Sequence, residues 1–200
     1  MFALPFTRRD APELKGDRII LRMPELADYR DWAALRAESR AFLEPWEPRW
    51  AADELSRAAW RARLNRYRDD YAQGSAASFF LFDRKAGRLL GGITLGNIRY
   101  GVAQTGHIGY WMGSRHAGKG YMTEAVCLVT SHAFQRLRLH RIEAACIPGN
   151  TRSIRVLEKV GFQREGLLRS YLRINGEWHD HYLYALIAGE SRALGFTEKV

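Results

Sequence analysis

The stretch His107-Ile108-Gly109-Tyr110-Trp111-Met112, followed by Gly113-Ser114-Arg115-His116-Ala117-Gly118-Lys119-Gly120-Tyr121, constrains the fold more than any other. It runs from β-preferring side chains into a glycine-rich turn and then straight into a helix, since apolar positions from Tyr121 to Phe134 recur at helical spacing. The first-turn amides of such a helix lack an intrahelical acceptor and carry the positive end of its dipole, and Gly118 and Gly120 let a phosphate approach the backbone. A phosphate-bearing ligand is expected here. The helix also links the strand at Thr105 to Met112 with a second at Arg141 to Pro148, and a crossover of that kind makes the two strands parallel.

Spacing narrows the phosphate compound. Gly113 to Lys119 fits the first seven positions of G-x-x-x-x-G-K, but the magnesium-binding hydroxyl of a triphosphate loop is replaced by Gly120, and no downstream strand ends in a convincing metal-binding Asp. The dinucleotide fingerprint G-x-G-x-x-G fails too, because Thr123 stands where a third glycine or alanine is needed. What remains is Arg115-x-x-Gly118-x-Gly120.

That pattern resembles the acetyl-CoA pyrophosphate loop of the GNAT superfamily of N-acetyltransferases. Further stretches agree along the chain. Gly16 to Arg22 resembles the first strand of that superfamily and His140 to Ala144 its fifth. Asn150-Thr151-Arg152-Ser153 with Lys159-Val160-Gly161-Phe162 resembles the Asn-x-x-Ser helix and Lys-x-Gly-Phe exit of the branch that acetylates ribosomal-protein N-termini. Glu165-Gly166, Asn175-Gly176 and Trp178 to Leu186 resemble the terminal hairpin of this Rim-type branch, and Phe42 to Pro48 is similar to its RimJ-like members.

The resemblance implies a mixed α/β fold: a central twisted mixed sheet of about seven strands with helices on both faces and a splayed parallel strand pair that binds CoA. It implies one N-acetyltransferase domain over residues 1–200, with the core near 16–188. Acetyl-CoA is then the co-substrate, with no metal. Tyr110, Trp111 and Met112 would offer backbone to the pantetheine. Arg115, Gly118, Lys119, Gly120 and Tyr121 would hold the pyrophosphate, Asn150 and Ser153 would lie beside the cofactor chain and its thioester, and Trp46 and Glu47 would bind the acceptor. Glu44 and Glu47 would meet a protonated N-terminus.

Composition is compatible. Two hundred residues at 46% hydrophobic content suit one α/β domain with a full core. No apolar run approaches the roughly 18 residues of a membrane span, and Met1 to Phe6 is too short for a secretory signal, so a cytoplasmic protein is expected. Cys127 and Cys146 sit in apolar patterns rather than at ligand spacing, which fits a reducing compartment and buried thiols. The net charge of +9 favours polyanions, and ribosome or RNA contact through the basic surface is one reading. The plainer reading assigns Arg57, Arg61, Arg63, Arg66 and Arg68 to the solvent side of a helix over 51–71, with Trp60 and Leu64 facing in.

The remaining pattern predicts a strand near Arg18 to Met23, a helix near Glu25 to Phe42, strands near Ala77 to Asp83 and Leu89 to Asn97 joined at Lys85-Ala86-Gly87, and a helix over Gly118 to Phe134. Asn150 reads as a helix N-cap and Asn175-Gly176 as a hairpin turn. Phe2 to Leu14 and the tail after Gly189 are expected to be loosely held.

Acetyl transfer to an amine needs a neutral amine, an oxyanion donor and a proton for the departing thiolate. An α-amine with pKa of about 7.7 to 8.0 is partly neutral already, whereas a lysine near 10.4 is not, so an enzyme for α-amines manages with a weak base or ordered water. The resemblance makes Ser153 the catalytic candidate; a helix-cap hydroxyl is its plainer role. Leu172, where some relatives carry a Glu proposed as base, excludes a carboxylate base at that position. The histidines form no metal or triad pattern, and His179-x-His181 reads as structural. The expected activity is direct acetyl transfer to the N-terminal Ala or Ser of a ribosomal protein or its N-terminal peptide. The alternatives are acetylation of a small amine such as an antibiotic, polyamine or amino acid, and an RNA-binding module regulated by acetyl-CoA.

Overall fold

A computed structural model describes residues 11–190. Eight strands make one sheet: β1 Leu14–Lys15, β2 Ile19–Arg22, β3 Ala77–Asp83, β4 Leu89–Arg99, β5 Thr105–Met112, β6 Arg141–Cys146, β7 Gln163–Ile174 and β8 Glu177–Ile187. Their order across the sheet is β1-β2-β3-β4-β5-β6-β8-β7, antiparallel throughout except for β5 and β6. Helices α1 Tyr29–Glu38, α2 Arg40–Leu43, α3 Arg57–Ala72, α4 Tyr121–Gln135 and α5 Thr151–Val160 cover both faces.

The alternation of β3 explains the layering. Phe79 and Leu81 enter the larger core beneath α4 and α5, where Val126, Val129, Leu157 and Val160 are buried, while Phe80 enters a smaller core with Trp32 and Leu35 of α1 and Trp60 and Leu64 of α3. A strand buried on both faces reads as a continuous apolar run, and Ser78-Phe79-Phe80-Leu81-Phe82 is one. Trp32 and Trp60 stack with centroids 4.7 Å apart, so the inward-facing Trp60 of the arginine-rich helix anchors it as its spacing predicts.

Four differences from the sequence expectations have local causes. The sheet has eight strands rather than about seven because β1 exists, and Leu14, expected to be loosely held, is buried and pairs with Leu21. Two residues are too few to show a period. The rest of that N-terminal stretch, residues 2–10, and the tail from 191 lie outside the described residues. The helix expected over 25–42 opens with a 3-10 turn at Leu26–Asp28 and breaks at Ser39, whose buried Oγ accepts from the Ser114 amide at 2.9 Å instead of staying within a helix. The helix expected over 51–71 starts at Arg57, because Ser56 caps it by accepting from the Ala59 amide. The helix expected to open at Gly118 opens at Tyr121, since Gly118 and Gly120 both have positive φ, 77° and 80°.

Candidate active site

The parallel pair β5 and β6 is short. Thr105, Gly106 and His107 pair with Arg141, Ile142 and Glu143, and there the ladder ends although both strands continue. His107 Nε2 lies 2.8 Å from Glu143 Oε2 at this last rung. Beyond it the strands diverge and leave backbone groups of β5 and β6 facing a gap, as a splayed pair does. The gap opens into a cavity of about 670 Å³.

One end of that cavity is the glycine turn. Its wall includes Gly118, Gly120 and Tyr121, and no side chain caps α4, which leaves its first-turn amides free for a ligand. The positive φ at Gly118 and Gly120 is open to glycine without strain, and a Cβ at Gly120 would stand 3.2 Å from Arg18 Nη2. Behind the turn, Glu124 is buried and receives the Arg18 amide at 2.8 Å and Arg18 Nε at 3.0 Å. Arg18 Nη1 then donates to the Lys119 carbonyl at 2.9 Å, so an arginine from β2's leading edge braces the turn from outside. Along α5, Arg152, Arg155 and Lys159 line the same cavity at i, i+3 and i+7, a cationic stripe suited to phosphates. Their helical spacing was visible in the sequence, although the Asn-x-x-Ser pattern drew attention first.

At the middle of the cavity Tyr110 Oη lies 2.8 Å from Ser153 Oγ, with either hydroxyl able to donate, and also donates to the Ser153 carbonyl at 3.3 Å. Burial pushes the Tyr110 phenol well above its ordinary range, which keeps its proton in place. Asn150 Oδ1 accepts from the Ser153 amide at 3.1 Å, the capping bond expected of it. Cys146 sits beside this pair. Burial pushes its thiol up to about 11, with a hydrogen bond from Ser153 opposing only in part, so it is a neutral core thiol.

The far end is the loop after α2. Trp46, Glu47 and Pro48 line it opposite Leu172, Ile174 and His181 of the terminal hairpin. Glu47 is not a free carboxylate: it takes Arg36 Nη1 and Nη2 at 2.7 Å each and Trp50 Nε1 at 2.9 Å. Glu44 is held by Arg40 at 2.7 Å. The buried Arg36 guanidinium lies 4.2 Å from the Trp50 ring centroid and 5.0 Å from that of Trp111. The Asn175 amide donates to the Glu47 carbonyl at 2.9 Å, tying the loop to the β7–β8 turn.

The structure therefore brings Tyr110, Trp111, Met112, Gly118, Gly120, Tyr121, Asn150, Ser153, Trp46 and Glu47 to one cavity. Arg115 and Lys119 belong to the turn but not to the cavity wall. Arg115 pairs with Glu38 at 2.9 Å and donates to His116 Nε2 at 3.1 Å, and the Lys119 carbonyl receives Arg18. Sequence reasoning did not single out Arg18 or Arg36, and it read His181, which lines the cavity, as structural. Among the described residues no group of three or more His, Cys, Asp or Glu could hold a metal, and no helix is long and apolar enough to cross a membrane.

A glycine turn at a helix start, a gap between parallel strands and a hydroxyl pair meet in one cavity, a layout suited to a group-transfer enzyme with an extended phosphorylated co-substrate. The chain belongs to the acetyltransferase (GNAT) family, whose domain model matches residues 18–163, and it is an acetyl-CoA-dependent N-acetyltransferase. It is 40% identical over 174 residues to the "Probable N-acetyltransferase YjcK" of Bacillus subtilis (strain 168), covering 87% of this chain and 96% of that protein. It is 35% identical over 181 residues to the [Ribosomal protein uS5]-alanine N-acetyltransferase of Escherichia coli (strain K12), covering 90% and 93%. The structure of Mycobacterium smegmatis RimJ in complex with CoA-disulfide superposes with a TM-score of 0.82 at 35% identity, over 86% of this chain and 83% of that one.

Proposed function

We propose that this enzyme transfers the acetyl group of acetyl-CoA directly to the N-terminal α-amine of a ribosomal protein, with Ala or Ser at its N-terminus. The observation that carries the reading is one cavity running from the glycine turn, past Tyr110 and Ser153, to the Trp46 loop. The similarity to an alanine N-acetyltransferase of ribosomal protein uS5 supports it. Gly118, Gly120 and the first turn of α4 fit a pyrophosphate, and the open edges of β5 and β6 fit the amides of a pantetheine chain. The Tyr110–Ser153 pair would supply the proton that the departing thiolate needs. Direct transfer is consistent with Cys146, whose thiol is kept neutral by burial and so is a poor nucleophile.

The acceptor end is walled by the apolar side chains of Phe42, Leu43, Trp46 and Leu172, and its one carboxylate is already paired, which suits an uncharged first residue. The protein would act in the cytoplasm on the ribosomal protein, with any contact to rRNA coming from the exposed arginines of α3. Labelled acetyl-CoA is incubated with the enzyme and with peptides carrying a free N-terminal Ala or Ser, or a blocked N-terminus and exposed lysines. Label on the α-amine alone is expected. Equal labelling of the blocked peptide on lysine defeats the reading, and so does labelling of small amines with both peptides left inert.

A further inference from the structure

Two histidines line the cavity, His116 and His181, and they differ in what their ring nitrogens face. His116 stands in the glycine turn with Nε2 accepting from Arg115 Nε. His181 is buried on β8, with Nδ1 2.9 Å from the carbonyl of His179 on its own strand. A carbonyl only accepts, so Nδ1 carries the hydrogen and the neutral ring presents its lone pair at Nε2. Among the described residues Nε2 has no hydrogen-bond partner.

Register places this nitrogen at the reacting end of the gap. Cys146, the last residue of β6, pairs with Tyr182, so His181 lies one step past the end of β6. Tyr110 and Tyr182 pack into the core beneath α4 and α5, whereas Trp111 packs with the smaller core on the other face. Alternation puts His181 on the face opposite Tyr182. The hydroxyl pair of Tyr110 and Ser153 is thus on the phosphate side of the sheet, and His181 is on the side of Trp111 and the Trp46 loop.

Other groups that could serve are occupied. Glu47, the one carboxylate in the cavity wall, is taken by Arg36 and Trp50. Asp180 of β8 accepts from the Ser170 amide, and Arg173 of β7 donates to the Gly176 carbonyl. Tyr171 of β7 meets the His181 ring edge to face, with centroids 5.8 Å apart, which helps to hold its plane.

We propose that His181 is a catalytic residue of the acetyl transfer, its Nε2 taking the proton that the acceptor ammonium must lose before it attacks. This rests on the α-amine reading above. The balance is simple. His181 removes one proton from the ammonium and passes it to solvent. The amine nitrogen then forms its bond to the thioester carbonyl carbon and the carbon–sulfur bond breaks. The Tyr110–Ser153 pair protonates the leaving sulfur and regains its proton from the nitrogen, which ends as a neutral amide.

The test uses His181→Asn, whose side-chain amide keeps the donor to the His179 carbonyl but has no basic nitrogen, and His181→Gln as a second variant. Both are compared with wild type on a free N-terminal Ala peptide and on a small primary amine from about pH 6 to about pH 9.5, with CoA affinity measured by calorimetry. The expected result is a loss of about ten- to a hundredfold in kcat/KM for the peptide near neutral pH, shrinking as pH rises and the amine deprotonates unaided. CoA affinity is expected to stay unchanged. A loss independent of pH, or rates within about twofold of wild type, overturns the role of His181. Wild type that labels the small amine and ignores the peptide overturns the protein-acceptor reading instead. The same pH comparison on the small amine then decides His181.

Discussion

Tyr110 on β5 and Ser153 on α5 meet at 2.8 Å across the gap that the parallel pair leaves open, joining two elements that are 43 residues apart in sequence. The two hydroxyls share one hydrogen bond, so under the proposed function they should act as a unit. Ser153→Ala and Tyr110→Phe are each expected to lower kcat about ten- to a hundredfold with little change in CoA affinity. The double variant should cost little more than either single one, since residues in one network are not additive. Cys146→Ala should stay active. Steady-state kinetics with an N-terminal peptide check this, and full additivity or a dead but folded Cys146 variant would reverse the assignment.

The phosphate turn gives a binding prediction. CoA should stabilise the protein by about 2.7 kcal/mol when free ligand is near a hundredfold above its dissociation constant, and ATP with magnesium by much less. Gly120→Trp should abolish the shift, because the left-handed backbone disfavours any side chain and the indole would fill the phosphate seat beside Arg18. Arg18→Ala should weaken it by releasing the Lys119 carbonyl and taking the guanidinium from buried Glu124, which keeps only the residue-18 amide. Thermal melts with and without CoA decide the matter: a Gly120 variant that is shifted like wild type removes the site.

What the sequence revealed and what it hid divide by distance along the chain. The β5–turn–α4 unit, the Asn150 cap and the Asn175-Gly176 hairpin depend on residues a few positions apart, so spacing alone exposes them. The break at Ser39 has its cause 75 residues away in Ser114, and the burial of Glu124, which no local spacing signals, is explained by Arg18, 106 residues distant. His181 looks structural in a strand. The role proposed for it needs the register of β6 and β8, which sets it beside the gap, and the carbonyl that takes one of its ring nitrogens.

The Arg36–Glu47 pair changes what acceptor-loop mutants should do. Glu47→Ala strands a buried guanidinium whose Nε already has no partner, and removing one member of a buried pair costs about 3 kcal/mol or more. The melting temperature is expected to fall by about 6–12 °C for a chain of this size. Peptide KM should rise while CoA binding is kept, because the loop tied to the Asn175 amide loosens. Trp46→Ala should raise peptide KM with little change in melting. Replacing both partners with apolar residues, Arg36→Met with Glu47→Leu, should recover much of the lost stability. A Glu47→Ala protein that melts like wild type would show that the pair contributes nothing.

The turn also carries a pH dependence of definite sign. Burial, then the charges of Arg115, Lys119 and Arg88, hold the His116 imidazole below its ordinary value, and its Nε2 accepts from Arg115 only while neutral. A depressed folded-state value contributes stability that is complete above the unfolded value of about 6.5 and is lost as pH falls from there through the folded value. Glu165, held low by Arg141, and Asp83, held low by the amides of Ala86 and Lys85, follow the same sign but titrate in the carboxylate range. His116→Gln keeps an acceptor for Arg115 and removes the titration. Its melting temperature should therefore fall less than that of wild type as pH drops from about 7 through the unfolded value of about 6.5 and below. Scanning calorimetry across this window is the check, and equal slopes for the two proteins would show that His116 is not titrating against the fold.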